Sequence, residues 1–177
     1  MNTLKNVAWI LGFLIAIFLG VGVVLPPAWE VTRDVSILAN IRDVHYVVRR
    51  LDTWKTWSPW GVMVDGAVRM ETGPIAEGTG ATLTWKGPKV GSGSVAVTSE
   101  DRDKGLWFDL RLGRQPIHGV LQYEAQGPGT TTVKLTLRGD AGNDIPGRYV
   151  GWFRSRSIGR DASEALTRLA RRAEAGG

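Results

Sequence analysis

Trp54-Lys55-Thr56-Trp57-Ser58-Pro59-Trp60 puts three of the chain's eight tryptophans within seven residues, beside a proline. Tryptophan is large and apolar with one N–H to satisfy, so such a cluster lines a core edge or a cavity mouth. Directly before it, Ile41, Val44, His45, Val48 and Leu51 recur at helical spacing. That pattern predicts one amphipathic helix leading into the aromatic segment. Before the helix, Trp29 to Ile37 alternates, with Val31, Val35 and Ile37 on one face and Thr32, Asp34 and Ser36 on the other. This reads as a half-buried strand.

Beyond the aromatic segment the period returns to two. Ala67–Thr72, Gly80–Lys86, Gly93–Glu100, Gly105–Leu112, Ile117–Gln126 and Thr130–Asp140 read as six further strands. Turn chemistry separates them, such as Gly73-Pro74, Gly87-Pro88, Arg102-Asp103-Lys104 and Gly127-Pro128-Gly129. The short connections predict an antiparallel meander. Ala81, Leu83 and Trp85 share one face, as do Leu106, Phe108, Leu110 and Leu112, and Val133, Leu135 and Leu137. Polar residues such as Asp109, Arg111, Lys134 and Arg138 take the other, so the sheet has one dry and one wet side. Ile158, Ala162, Ala165, Leu166, Leu169 and Ala173 then predict a long amphipathic helix, to about Ala175, that covers the dry side. Strand, short helices, six strands and a long helix make an α+β domain over residues 29–175.

Val7 to Leu25 runs nineteen residues without a charge. At about 1.5 Å per residue it reaches roughly 28 Å, close to the hydrocarbon thickness of a bilayer. A cleaved signal peptide has an apolar region of about 7–15 residues and a small-x-small cleavage site. Here the run is longer and ends in Val24-Leu25-Pro26-Pro27. The expectation is an uncleaved transmembrane helix over 7–25, after a tail of residues 1–6 and before a linker of residues 26–28. Trp9 and Trp29 stand at its ends as interfacial aromatics do. Gly12 and Gly20 do not form a G-x-x-x-G pair. Lys5 precedes the span, and Arg33 and Arg42 follow it, so charge leaves its orientation open. A short tail before a large domain fits a signal anchor in a single-pass cell-membrane protein, with the domain outside the cytoplasm.

Composition narrows the chemistry. The chain is 43% hydrophobic and 22% charged, too apolar for disorder. It has no cysteine, which removes disulfides, thiolate metal sites and a cysteine nucleophile. Its net charge of +5 suits a basic surface or an anionic membrane. The basic residues are not interleaved with aromatics on one element, so no nucleic-acid partner is expected.

Other residues repeat the pattern of a known group. Val31-Thr32-Arg33 and Ile37-Leu38-Ala39 flank the start of the first helix, and the tryptophan motif follows it. Gly80-Ala81, Trp85, Gly87 and Gly91-Ser92-Gly93-Ser94 fall in the third and fourth strands, and Gly159-Arg160-Asp161 with Ala165-Leu166 and Leu169 in the last helix. In these features the chain resembles the SRPBCC or START-like superfamily, which has the helix-grip fold. Within it, the chain is similar to the bacterial polyketide cyclase/dehydrase and lipid-transport family, of the membrane-anchored type. The resemblance implies a seven-stranded curved antiparallel sheet wrapped on the C-terminal helix. It also implies a cavity between them for lipids, polyketides or other apolar molecules. Two positions depart from the pattern. Asn40 stands where proline is usual, and His45 where an aromatic or aliphatic residue is usual.

Catalytic motifs are scarce. His45 and His118 are the two histidines, without metal-ligand spacing, and no metal or cofactor is expected. His45 reads as a core-edge histidine and His118 as solvated. Gly91-Ser92-Gly93-Ser94 lacks the G-K-[ST] end of a phosphate loop and reads as a turn. No G-x-S-x-G elbow is present, Arg138-Gly139-Asp140 is a chance tripeptide, and Glu71 and Glu77 read as solvated. The aromatic set is the remaining signal. Trp57, Trp60, Trp85, Phe108, Tyr123, Tyr149, Trp152 and Phe153, with Leu83, Val97, Leu110 and Leu121, are the candidate ligand-binding residues. They suit a mostly apolar pocket with a few polar tips. Three classes stay open: a binding module for an apolar small molecule or lipid, a cyclase/dehydrase-like enzyme, and a ligand-free interaction domain. A buried acid or histidine facing the cavity would mark the second, with His45 the candidate named, and a filled core would mark the third. Oligomeric state is not readable.

Overall fold

The computed structural model describes residues 2–112, 115–142 and 144–176. Met1, at the start of the expected tail, lies outside them. The chain opens with helix α1, Asn2–Val24, then strand β1, Ala28–Ile37. Helix α2, Ile41–Arg49, a single 3₁₀ turn, Leu51–Thr53, and the short helix α3, Trp54–Trp57, follow. Six strands come next: β2 Arg69–Thr72, β3 Thr82–Gly87, β4 Gly91–Asp101, β5 Gly105–Leu112, β6 Gln115–Gly127 and β7 Thr130–Asp140. Helix α4, Ile145–Glu174, closes the chain.

The strands form one antiparallel sheet in the order β1-β7-β6-β5-β4-β3-β2. β2 to β7 are the expected meander, and β1 returns to pair with β7 along its whole length. The β6–β7 turn puts Gly127 and Gly129 at φ of 142° and 73°, a region that glycine enters without steric cost. Bulges at Val97/Ser99 and Ala125/Gly127 add local bend. One reading needs correction. Gly91-Ser92-Gly93-Ser94 is not a turn but the opening of β4, paired with β3 and β5. Its glycine has a packing reason: the indole of Trp85 lies against Gly93, where any side chain would clash.

The dry face buries Leu83, Trp85, Val95, Val97, Phe108, Leu110, Ile117, Leu121, Tyr123, Val133, Leu135 and Leu137. Ile158, Ala162, Ala165, Leu166 and Leu169 of α4 cover it. α4 runs in the same direction as β1. Gly151 lies by Trp29 and Gly159 by Val31, and the Glu174 carboxylate accepts the Leu38 amide at 3.0 Å. Trp29 is half-buried and lays its ring over Gly139 and Gly151. Val44, Val47 and Val48 of α2 fill the end of the core away from α1. Almost all of α1 is exposed; it touches the rest of the chain at the start of α4.

Candidate functional site

The tryptophan segment is built by local hydrogen bonds. Trp54 turns its Nε1–H back to the Val48 carbonyl at 2.8 Å, which tucks the indole under α2. The Ser58 amide donates to the Trp54 carbonyl at 2.8 Å and ends α3, and Pro59 cannot continue it. The chain therefore turns outward and delivers Trp60 onto Trp85, stacked at 4.9 Å and 17°. Trp54 packs on Trp57 at 4.8 Å and meets Phe108 edge-on at 5.4 Å. From α4, Arg168 donates to the Trp57 carbonyl at 3.1 Å and ties the segment to the helix.

A pocket lies between this segment, the sheet and α4. Trp54, Trp57, Pro59 and Trp60 line one side, Phe108, Leu112, Leu121, Leu135 and Leu137 the sheet side, and Ile158, Asp161, Ala162 and Ala165 the helix side. The small residues of α4 leave the space, and Gly119 lets the Phe108 ring lie flat on the sheet. Its volume is about 40 Å³. Small-molecule pockets typically hold ~300–1,000 Å³, so this one is nearly closed. Among the described residues, Asp161 is the single ionisable one in the lining. Partial burial, then the Glu164 charge, pushes its carboxyl above the ordinary range. Two buried donors adjoin the lining without a hydrogen-bond partner, Ser58 Oγ and Trp85 Nε1.

The structure brings Trp57, Trp60, Phe108 and Leu121 together at this pocket. Leu83, Trp85, Val97, Leu110 and Tyr123 are buried on the same dry face but do not line it. Tyr149, Trp152 and Phe153 lie elsewhere: Tyr149 against α1, the other two exposed. The heptad before Ile158 falls on Gly151, the residue facing Trp29, so positions 152 and 153 point off the covered stripe. The candidate set lacks the lining residues Trp54, Pro59, Leu112, Leu135, Leu137, Ile158, Asp161, Ala162 and Ala165. Trp54 was in the quoted motif, and Asp161 stands three residues after Ile158.

His45 is buried, 8% exposed, on the covered face of α2. It does not line the pocket. Its Nε2 is 3.6 Å from Glu100, which Arg49 also holds, and its ring meets Tyr123 edge-on at 5.8 Å. Desolvation pushes the imidazole below its ordinary 6.5, against the Glu100 charge. Burial likewise pushes the Tyr123 hydroxyl up. His118 is exposed and bonds Asp109 across the strands at 2.7 Å. Among the described residues no group of three acids or histidines is placed to hold a metal ion.

No protein-family model matches the sequence, and no curated protein matches it significantly. Solved structures do match the fold. Ara h 8.0201 superposes with a TM-score of 0.63 at 8% identity, over 84% of this chain and 99% of that one. TTHA0849 from Thermus thermophilus gives 0.61 at 19% identity, over 83% and 98%. The di-domain ARO/CYC protein BexL, from the BE-7585A biosynthetic pathway, gives 0.60 at 16% identity, over 81% of this chain and 45% of that one. The sheet order, the long closing helix and these likenesses establish the helix-grip fold.

Proposed function

We propose that this chain is a single-pass membrane protein whose helix-grip domain binds an apolar small molecule or lipid between the sheet and α4. The observation that carries the reading is the lining itself, which among the described residues is aromatic and aliphatic except for Asp161. A pocket that is mostly apolar with a few polar groups binds by surface burial and orients by those groups. The volume of about 40 Å³ means that binding a larger molecule requires the pocket to open. α1 supports the anchor, because Lys5–Val24 is long and apolar enough to span a bilayer and packs little on the domain. The same proposal takes the domain to lie outside the cytoplasm.

Native mass spectrometry of the full chain, purified from its own host, tests the reading. The expected result is a retained apolar molecule, lost when Leu121→Trp fills the pocket. A folded, unmodified chain that carries no such molecule and takes up no added fatty acid overturns it. The small volume would then mark a ligand-free interaction domain.

A further inference from the structure

The start of α4 carries apolar side chains that the domain does not use. Val150, Trp152 and Phe153 are 49%, 42% and 65% exposed. Trp152 and Phe153 pack edge-on at 4.8 Å, and the Arg156 guanidinium lies over the Trp152 ring at 3.9 Å. An exposed aromatic pair with a cation on its face suits a surface that is apolar below and wet above. Between Ile145 and Arg160 the sequence holds four arginines and no acid. That excess of charge complements anionic lipid headgroups.

This stretch is strapped to α1 close to the end of the apolar run. Tyr149 stacks on Phe18 at 4.5 Å and 9°, and its hydroxyl donates to the Phe18 carbonyl at 2.6 Å. Arg148 donates to the carbonyls of Gly22 and Val23 at 3.3 and 3.1 Å, satisfying acceptors that the helix end leaves free. Phe18 stands six residues before Val24, the last residue of α1. At ~1.5 Å per residue that is about 9 Å back along the helix. If α1 spans the bilayer, Tyr149 is held inside its boundary, and Val150, Trp152 and Phe153 follow within about one turn. Interfacial helices bury their apolar faces to about 5–10 Å.

We infer that the first turns of α4, from Tyr149 to Phe153, lie in the interface of an anionic bilayer and dock the domain onto the membrane that anchors it. The inference rests on the anchor reading above. Its consequence is positional: Ile158 and Asp161 begin the pocket lining less than about three turns further along the same helix. The pocket is thereby held beside the bilayer, and the occupant it receives is one that partitions into lipid.

The chain has no cysteine, so single-cysteine variants carry one spin label each. Full chains with Ile15→Cys, Phe153→Cys or Asp103→Cys would be reconstituted into vesicles of phosphatidylglycerol and phosphatidylcholine. Spin relaxation by oxygen, which concentrates in lipid, would be compared with relaxation by a water-soluble nickel chelate. Asp103 lies in the exposed turn before β5 and serves as the aqueous reference. The expected result is an oxygen-to-nickel ratio at Ile15 and Phe153 several-fold that at Asp103. Trp152→Cys repeats the measurement at an adjacent site. An oxygen ratio at Ile15 with a nickel ratio at both Trp152 and Phe153 overturns the interfacial contact and leaves the anchor standing. A nickel ratio at Ile15 overturns the anchor. In that case an oxygen ratio at Phe153 supports surface contact, and a nickel ratio there overturns it.

Discussion

His45 occupies a covered position with one ring nitrogen, Nδ1, unpartnered and the other 3.6 Å from Glu100. Burial holds its imidazole below 6.5 in the fold, while Arg49 and Arg102 add to that and Glu100 and Asp101 oppose it. The unfolded chain therefore binds a proton at His45 that the folded chain resists. Stability then falls as pH drops through 6.5 toward the folded value, and it is fully present above 6.5. His45→Phe keeps the edge contact to Tyr123 and removes the titration. Denaturant melts from mildly acidic to mildly basic pH should show the variant at least as stable throughout and flatter on the acid side. A variant less stable at every pH would mean that His45 makes a required polar contact. Gly119 is the opposite case, a position where nothing fits. Phe108 lies flat over it, so the methyl of Gly119→Ala must lift the ring toward the pocket. Overpacking of this kind costs ~1–3 kcal/mol, and a thermal melt should show it. A neutral result would mean that the pocket has room for the displaced ring.

At the scale of elements, the aromatic segment is held from two sides. Arg168 ties the Trp57 carbonyl to α4, and Asp65 pins the loop that follows. The Asp65 carboxylate accepts the amides of Lys89, Val90 and Ala67 at 2.8, 3.3 and 3.1 Å. The Lys89 amide foremost holds that carboxyl below its ordinary 3.8. Its contribution is present above 3.8 and is lost as pH falls below it. Asp65→Asn keeps one acceptor oxygen and loses the charge. Hydrogen exchange should therefore quicken at the Lys89 and Val90 amides, with the β5–β6–β7 ladder unchanged; equal exchange at both would leave the loop without this pin. The strands and their faces were legible because a period of two and the glycine-proline turns are local signals. The pocket was legible only in part. Which dry-face residues border a void depends on how α4 seats across a curved sheet. Tyr123 packs on His45 of α2, whereas Leu135 and Leu137 share the pocket lining with the small residues Ala162 and Ala165. Trp152 and Phe153 were misplaced by phase. The helix was expected, but its covered stripe passes through Gly151 and Ile158.

For the molecule as a whole, two elements that touch each other both expose apolar surface. α1 is uncharged from Val7 to Val24, and the start of α4 exposes Val150, Trp152 and Phe153. A soluble protein rarely leaves that much contiguous apolar surface in water. The two parts should respond differently to washing. Insertion of α1 depends on apolar transfer and resists both salt and alkali. Contact of the arginine-rich start of α4 with anionic lipid is electrostatic in part and is weakened by salt, because exposed charges more than about 10 Å apart are screened at roughly 0.1 M. The full chain should therefore stay with membranes through a high-salt wash and a carbonate wash. A chain beginning at Pro27 keeps β1, the sheet and α4, so it should fold. It should bind phosphatidylglycerol vesicles weakly at low salt, leave them at high salt, and lose that binding with Trp152→Ser and Phe153→Ser together. Release of the full chain by carbonate would remove the span. A shortened chain that ignores anionic vesicles at low salt would show that the start of α4 adds nothing once α1 is gone.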